Sequence, residues 1–384
     1  MEIRFFKKPH PTDPVEIVLI TQLTEGVRIV EKHYEPGNFS IAMPYGALRG
    51  KTIETGDIAL FDRGAFCGVV DDIVPSAGGN GERITISGYC LKGLLMQRLI
   101  VPTDYTSADG TAGYDARMGS SETIMKGFVS ANLANPPQAL RKVPNFTIAS
   151  DIGRGIADDK YMARLEALSD VVGKIGADAK LGWNVYPVIA EGQPFGFVLD
   201  CVEGLDRTYG QTERPPAIFS IERRNVTDME YRDSVQGYYN AFYTTRAGAR
   251  FADEALTLLY WRDEEGQPTG YDRRERALSV SMANVPEGEE YAEMRRQALV
   301  QAKQYERIRT FKADISQSRM RYGIDFALGD MVTAMRPSWG ITMDAQITEV
   351  TQEWGDNGYS IKATFGTDVP NIIKRLQNSI KELS

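Results

Sequence analysis

From Val15 to Pro102, apolar and polar positions alternate in short runs broken by turn residues. Val15–Ile20 has the composition of a strand, Gly26–Val30 alternates, and Gly37–Pro44 places Phe39, Ile41 and Met43 on one face. Further strands are predicted at Ile58–Phe61, Phe66–Val74 and Arg83–Gly88, the last two separated by the flexible stretch Ser76–Gly81. A β-meander or small barrel is expected for residues 1–102.

The period then changes. Ser120 and Ser121 can cap a helix carrying Ile124, Met125, Phe128 and Val129 at steps of three and four, ended by Pro136-Pro137. A second helix is predicted from Asp158-Asp159 along the stripe Met162, Leu165, Leu168, Val171 and Ile175 to Gly176. Trp183–Tyr186 and Phe195–Leu199 read as a hairpin closed by Glu191–Pro194, so 103–215 is expected to be an α+β insert. Residues 216–310 form a β-rich peripheral domain in this reading. Its strands lie at Ala217–Ile221, Tyr238–Tyr243 and Leu256–Trp261, a turn falls at Asp263–Pro268, and a helix runs from Pro286 to about Arg309 through Tyr291, Met294, Ala298, Ala302, Tyr305 and Ile308. Residues 311–368 return to strands, with Asp356-Asn357-Gly358 as a hairpin signal, and 369–384 read as a helical tail spanning Pro370–Leu383.

A length of 384 residues predicts two or three domains rather than one, and 42% hydrophobic with 25% charged residues excludes wholesale disorder. The charged amino terminus lacks the apolar stretch of a signal peptide, and no apolar run reaches the length of a membrane helix. The expectation is a protein made in the cytoplasm, soluble and without a membrane segment. Three cysteines (Cys67, Cys90, Cys201) and two histidines (His10, His33) disfavour a disulfide framework or a Cys/His zinc site. The formal charge of −8 argues against a protein that coats nucleic acid. Residues 1–100 hold 11 basic and 12 acidic residues and residues 311–384 hold 8 and 9, so the acidic excess belongs to the middle.

Candidate chemistry is sparse. Asp71-Asp72 could be paired carboxylates, but neighbours on a strand face opposite ways unless a bulge intervenes. Gly78–Gly81 and Gly153-Arg154-Gly155 match neither dinucleotide nor phosphate-loop spacing. His33 has no nucleophile motif beside it. The aromatic run Tyr238–Tyr243 with Arg246 and Arg250 could stack on sugars or bases, or pack within a sheet. Arg273–Arg276 has the composition of a solvated face, and Arg295-Arg296 beside Glu289, Glu290 and Glu293 that of helix surface pairing. No catalytic, cofactor-binding or metal residue is assigned, no cofactor is expected, and the chain is not read as an enzyme.

The two β-rich ends echo each other. Gly56-Asp57 precedes a strand, a turn, Val69–Ile73, a hairpin and Ile84–Gly88; Gly329-Asp330 precedes a strand, a turn at Trp339-Gly340, Ile347–Val350, a hairpin and Ser360–Gly366. A duplicated β-barrel is the economical explanation. Together with Gly37–Pro44, Ile84–Arg98, Asp325–Val332, Ile347–Val350 and Ala363–Gly366, this echo resembles the tail-tip and baseplate hub proteins of phages, above all the siphovirus and prophage group. The resemblance implies two related β-barrel tube domains (1–102 and 311–368) flanking peripheral α+β domains. It implies a homotrimer that adapts the sixfold tail tube to the distal tip, contacts the distal tail protein and the tube or tip proteins, and passes phage DNA without binding it specifically. The chain would be assembled in the bacterial cytoplasm into a virion tail, with wall-degrading activity on another chain. The alternative reading is a carbohydrate-binding or glycan-cleaving β protein of the adsorption apparatus, resting on the tyrosine-rich strands.

Overall fold

The computed structural model describes residues 1–62, 66–79, 81–102, 113–246, 257–260, 268–280, 290–356 and 358–366. The tail helix expected at 370–383, the bulk of the turn at 263–268, the helix start at Pro286, Asn80, Arg250 and Asn357 lie outside those residues. Two compact units emerge, one of Met1–Met229 with Lys312–Gly366 and a second containing Glu230–Phe311.

The first unit is dominated by strands. It opens with β1 (Ile3–Phe6), β2 (Ile17–Thr21), β3 (Gly26–Lys32), β4 (Asn38–Pro44), β5 (Ile58–Phe61), β6 (Phe66–Gly78) and β7 (Gly81–Cys90). The period-two pattern selects the buried face as expected: Phe39, Ile41 and Met43 of β4 are each at most 2% exposed. Phe39, Phe61 and Phe66 meet edge to face at 5.4–6.2 Å in the core beneath them.

The insert contains β8 (Asp115–Gly119), α1 (Ser121–Val129), β9 (Phe146–Ile148), β10 (Asp159–Ala163), α2 (Leu168–Ala179), β11 (Gly182–Val188) and β12 (Gly196–Val202). Ser120 caps α1 as its sequence implies, accepting the Thr123 N–H at 3.1 Å. The helix expected from Asp158 begins only at Leu168. Asp159–Ala163 instead pairs antiparallel with Gly119–Asp115, burying Tyr161 and Ala163 at strand spacing, and Leu165 in a left-handed conformation (φ +54°) separates the two elements. Strands β11 and β12 form the expected hairpin, in register from Gly182↔Val202 to Val188↔Gly196.

After the insert come β13 (Asp206–Arg207), β14 (Ile218–Phe219) and β15 (Val226–Ser234). The second unit follows with β16 (Ala241–Arg246), β17 (Thr257–Tyr260), β18 (Glu275–Val280) and α3 (Glu290–Ala302). The chain continues through β19 (Ile308–Ile315), β20 (Met331–Arg336), β21 (Ile341–Gly355) and β22 (Gly358–Gly366). Helix α3 stops short of the expected Arg309, because Ile308–Ile315 alternates and is recruited as a strand beside β22. In the second unit, Phe242, Leu278, Val280, Ala298 and Ala302 share a core with Tyr239, Met294 and Tyr305.

Fourteen strands join one sheet along the path β15-β19-β22-β21-β3-β4-β7-β6-β5-β1-β2, with β20 also beside β21 and with β13 and β14 on β20. Within it one arrangement occurs twice. The order β3-β4-β7-β6-β5 is matched by β15-β19-β22-β21-β20. Both hairpins carry a bulge at the same place, between Val70 and Asp72 in β6 and between Ile347 and Glu349 in β21. An offset of 277 residues (347 less 70) carries Val70 to Ile347, Asp72 to Glu349, Gly78 to Gly355, Gly81 to Gly358 and Gly88 to Phe365 without a gap. The sequence echo, which matches Gly88 with Gly366, is thus one residue out at its end.

The bonds to backbone groups of the two Gly-Asp pairs correspond one to one, and Asp330 in addition accepts from Arg207 at 3.0 Å. Gly56 N–H donates to Val70 O at 2.7 Å and Gly329 N–H to Ile347 O at 2.9 Å. Val70 N–H donates back to Asp57 O at 2.8 Å, and Ile347 N–H to Asp330 O at 2.9 Å. One carboxylate oxygen accepts the N–H three residues earlier, Glu54 for Asp57 at 2.8 Å and Ala327 for Asp330 at 2.9 Å. The other ties in a remote segment, Lys8 N–H on Asp57 and Leu205 N–H on Asp330, both at 2.8 Å. Both glycines sit at φ +94°, where a side chain would be strained.

Each aspartate is 2% exposed and satisfies two backbone donors. Asp330→Ala, which strands Leu205 and Ala327 N–H groups, is expected to lower the unfolding free energy by about 3 kcal/mol, and Asp57→Ala by a similar amount. Urea denaturation measures both; a loss below about 0.5 kcal/mol would show that the carboxylates do not hold their turns.

Candidate functional site

The surface with the clearest structural logic is the duplicated sheet and the way its halves meet. Strand β21 pairs with β3 from Glu349↔Lys32 to Trp354↔Val27, joining the two modules edge to edge. Ion pairs Arg28–Glu353 (3.0 Å) and Lys32–Glu349 (3.6 Å) flank that seam. Among the described residues the path ends at β2 and β15.

The seam is braced by a buried polar node. Lys92, 4% exposed on the 3₁₀ turn after β7, donates to Lys32 O at 2.6 Å and His33 O at 3.0 Å, and its ammonium lies 4.9 Å from the Trp183 ring centre. Burial pulls its pKa down to about 8, against the opposing pull of Cys90, Glu31 and Glu35. Trp183 of β11 donates its ring N–H to Tyr34 O at 2.8 Å. Tyr34 donates its hydroxyl to Gln346 of β21, and Gln346 donates to Gly329 O at 2.9 Å. His33 packs against two glycines: a Cβ on Gly182 would lie 2.2 Å from the ring and one on Gly329 2.3 Å. The first module, the insert and the second module therefore meet on consecutive residues of one strand end.

A second node lies inside the insert. Glu122 and Lys126, one turn apart on α1, pair at 2.6 Å; Arg154 reaches Glu122 at 2.7 Å, and Asp200 of β12 accepts from Lys126 at 2.9 Å and Arg154 at 2.6 Å. Two cations meet two anions, and Ser150 O takes a further Lys126 proton at 2.8 Å. Burial would raise the Glu122 pKa, but the Arg154 and Lys126 hydrogen bonds outweigh it and hold the carboxyl down at about 2. Such a closed set of charges fixes the Gly153-Arg154-Gly155 loop, and its internal balance gives it a structural part.

The residues weighed from sequence resolve accordingly. Asp71-Asp72 does sit at a bulge, and both carboxylates are exposed. His33 is buried, and its Nε2 has no hydrogen-bond partner among the described residues. In the aromatic run, Phe242 is core and Tyr239 carries the Arg276 guanidinium at 5.3 Å, which also lies 4.3 Å from Tyr305; these rings pack in the sheet. Among the described residues no group of three or more His, Cys, Asp or Glu could hold a metal, the three cysteines are free and buried, and no helix is long and apolar enough to cross a membrane. A shallow depression of about 320 Å³ is lined by Met1, Glu2, Gln22 and Asp62, but both of its acids are engaged: Asp62 accepts Glu2 N–H at 2.9 Å and Glu2 pairs with Arg4 at 2.7 Å. Sequence reasoning did not single out Lys92 or the Glu122 cluster. A lone lysine inside Leu91-Lys92-Gly93-Leu94-Leu95, and the Glu122/Lys126 spacing of four, are the signals that point to them.

Comparison with known proteins agrees with this architecture. The family model described as Siphovirus ReqiPepy6 Gp37-like protein matches residues 19–367. The 43 kDa tail protein of prophage MuSo2 from Shewanella oneidensis superposes with a TM-score of 0.54 at 14% identity, covering 95% of this chain and 98% of that one. The tail protein from Neisseria meningitidis MC58 gives 0.55 at 11% identity, covering 95% and 97%. At these identities the likeness is one of fold. No curated protein matches the chain.

The buried groups set an acid response. Burial and then the nearby Lys92 charge lower the His33 pKa from 6.5 to about 3. The unfolded chain takes up that proton below pH 6.5 and the folded one refuses it until about 3, so His33 costs no stability above 6.5 and removes up to about 1.4 kcal/mol per pH unit beneath it. Glu122, depressed from 4.5 to about 2, adds a second loss as pH falls from 4.5 to 2. Urea unfolding across pH 7 to 3 is expected to show both phases, and His33→Gln to flatten the slope between 6.5 and 4.5; an unchanged slope in that variant would contradict the assignment.

Proposed function

The chain belongs to the Siphovirus ReqiPepy6 Gp37-like family of tail proteins and is a component of a phage or prophage tail, and from that premise we propose that it is a non-enzymatic hub. Three copies would form a ring that adapts the sixfold tail tube to the distal tip. The observation that carries the reading is the repeated strand order, with its matching bulges and Gly-Asp turns, inside one chain. A ring of three such chains offers six near-equivalent modules, the number that a sixfold tube end demands.

In this proposal, 1–102 is one barrel-like tube domain, 311–368 with the strands of 206–234 is the other, and the remainder of 103–310 is peripheral. The distal tail protein and the tube or tip proteins are the neighbours, and DNA passes through the ring without base recognition.

Copy number tests the reading. Quantitative mass spectrometry of purified tail particles, with isotope-labelled peptides of this chain and of the tube protein and the number of tube rings counted by electron microscopy, is expected to return three copies of this chain per tail, against six tube subunits per ring. Six copies, or none, would overturn it.

A further inference from the structure

The duplication is complete in strand order but not in edge pairing. On the side of β21 away from β22, Ile341–Gln346 is paired by β20 and, past the bulge at Thr348, Glu349–Trp354 is paired by β3. On the side of β6 away from β7, Phe66–Val69 is paired by β5. Past the bulge at Asp71, no strand lies beside Asp72–Gly78 on that side among the described residues. The offset of 277 carries Asp72–Ala77 onto Glu349–Trp354. The bare stretch of β6 is therefore the counterpart of the stretch that β3 covers.

The counterpart of β3 is β15, and β15 is bare as well. It pairs with β19 on one side and, among the described residues, has no strand on the other. One junction of the repeating pattern exists within the chain, as β21 against β3. The other exists as two unpaired halves on the same molecule.

We propose that Asp72–Ala77 of one copy pairs antiparallel with β15 of a second copy, repeating between chains the β21–β3 seam found within one. The occupant is a second copy of this chain because the chain itself carries the template of the contact and both of its halves. The contact is heterologous, each copy giving its β6 edge to one neighbour and its β15 edge to the other, and with a rotation of one third of a turn per copy it closes into the proposed ring of alternating internal and external seams. Asp72 stands where Glu349 meets Lys32, and β15 offers Arg232 as its cation among Asp228, Glu230 and Asp233, the last of which is already paired with Arg307 at 2.5 Å and Arg309 at 3.5 Å; the strand pattern, not charge, therefore carries the contact. Val74 is 49% exposed on a strand with one open side, and Pro75 with Asp71 and Asp72 blunts that edge against indiscriminate pairing. The inference rests on the proposed ring of three copies and specifies which strands form it.

The test is Val74→p-benzoylphenylalanine in assembled tail particles, irradiated and digested for cross-link mapping, with Ser76→p-benzoylphenylalanine as a second variant should the first impair assembly. Expected is a covalent dimer of this chain whose cross-linked partner peptide contains residues 226–234. Cross-links to another segment of a second copy, or only within one chain, in particles that hold three copies would overturn the strand assignment while leaving the hub reading intact. Particles that lack a three-copy ring would overturn both.

Discussion

Strand β21 hydrogen-bonds to three partners along its 15 residues: β20 on one half of one side, β3 on the other half, and β22 on the opposite side. A strand can serve two partners on one side only if its direction is adjusted between them, and the bulge at Thr348 supplies that adjustment. The extra residue is also used: Thr348 O accepts the His33 N–H at 2.9 Å, so the irregularity in one module is tied to the strand end of the other. The edge-to-edge continuity of the two modules depends on this one strand.

Around that seam the structure places its most costly groups. A buried ammonium is tolerable because backbone carbonyls and an aromatic face replace its water, and a buried neutral imidazole because its surroundings reject the charged form. Both sit where first module, insert and second module meet, and glycines at 182 and 329 give the ring its space. A second closed group of charges holds the insert's own loop to its helix and hairpin. Ionic and hydrogen-bonding chemistry in this unit is thus spent on fixing the relation of parts, which is the demand placed on a component of a large assembly.

Much of this was legible in the residues. Alternation in Gly37–Pro44, the cap at Ser120, the hairpin closed by Glu191–Pro194 and the Met294, Ala298 and Ala302 part of the third helix's stripe each appear in the structure as read, because local period and burial agree there. Asp158–Leu165 reads as helix through its apolar spacing, yet pairing with β8 overrides that spacing; the helix expected to reach Arg309 gives way to a strand because β22 offers an edge. The echo of Gly56-Asp57 in Gly329-Asp330 is visible in sequence, but not the one-to-one correspondence of the turns' bonds to backbone groups, since the donors at Lys8 and Leu205 lie far off in the chain. The Lys92 node was invisible for the same reason: its acceptors are backbone oxygens and its aromatic partner is contributed by the insert.

A duplicated sheet with one internal seam and two bare counterparts makes sense as a unit of a closed ring. Cryo-electron microscopy of the tail end, reconstructed with threefold symmetry, tests this most directly. The account predicts six similar β modules around the axis, drawn alternately from the amino-terminal and carboxy-terminal parts of three chains, with continuous sheet across every junction. A ring in which each copy contributes a single module, or in which like modules are neighbours, would contradict it.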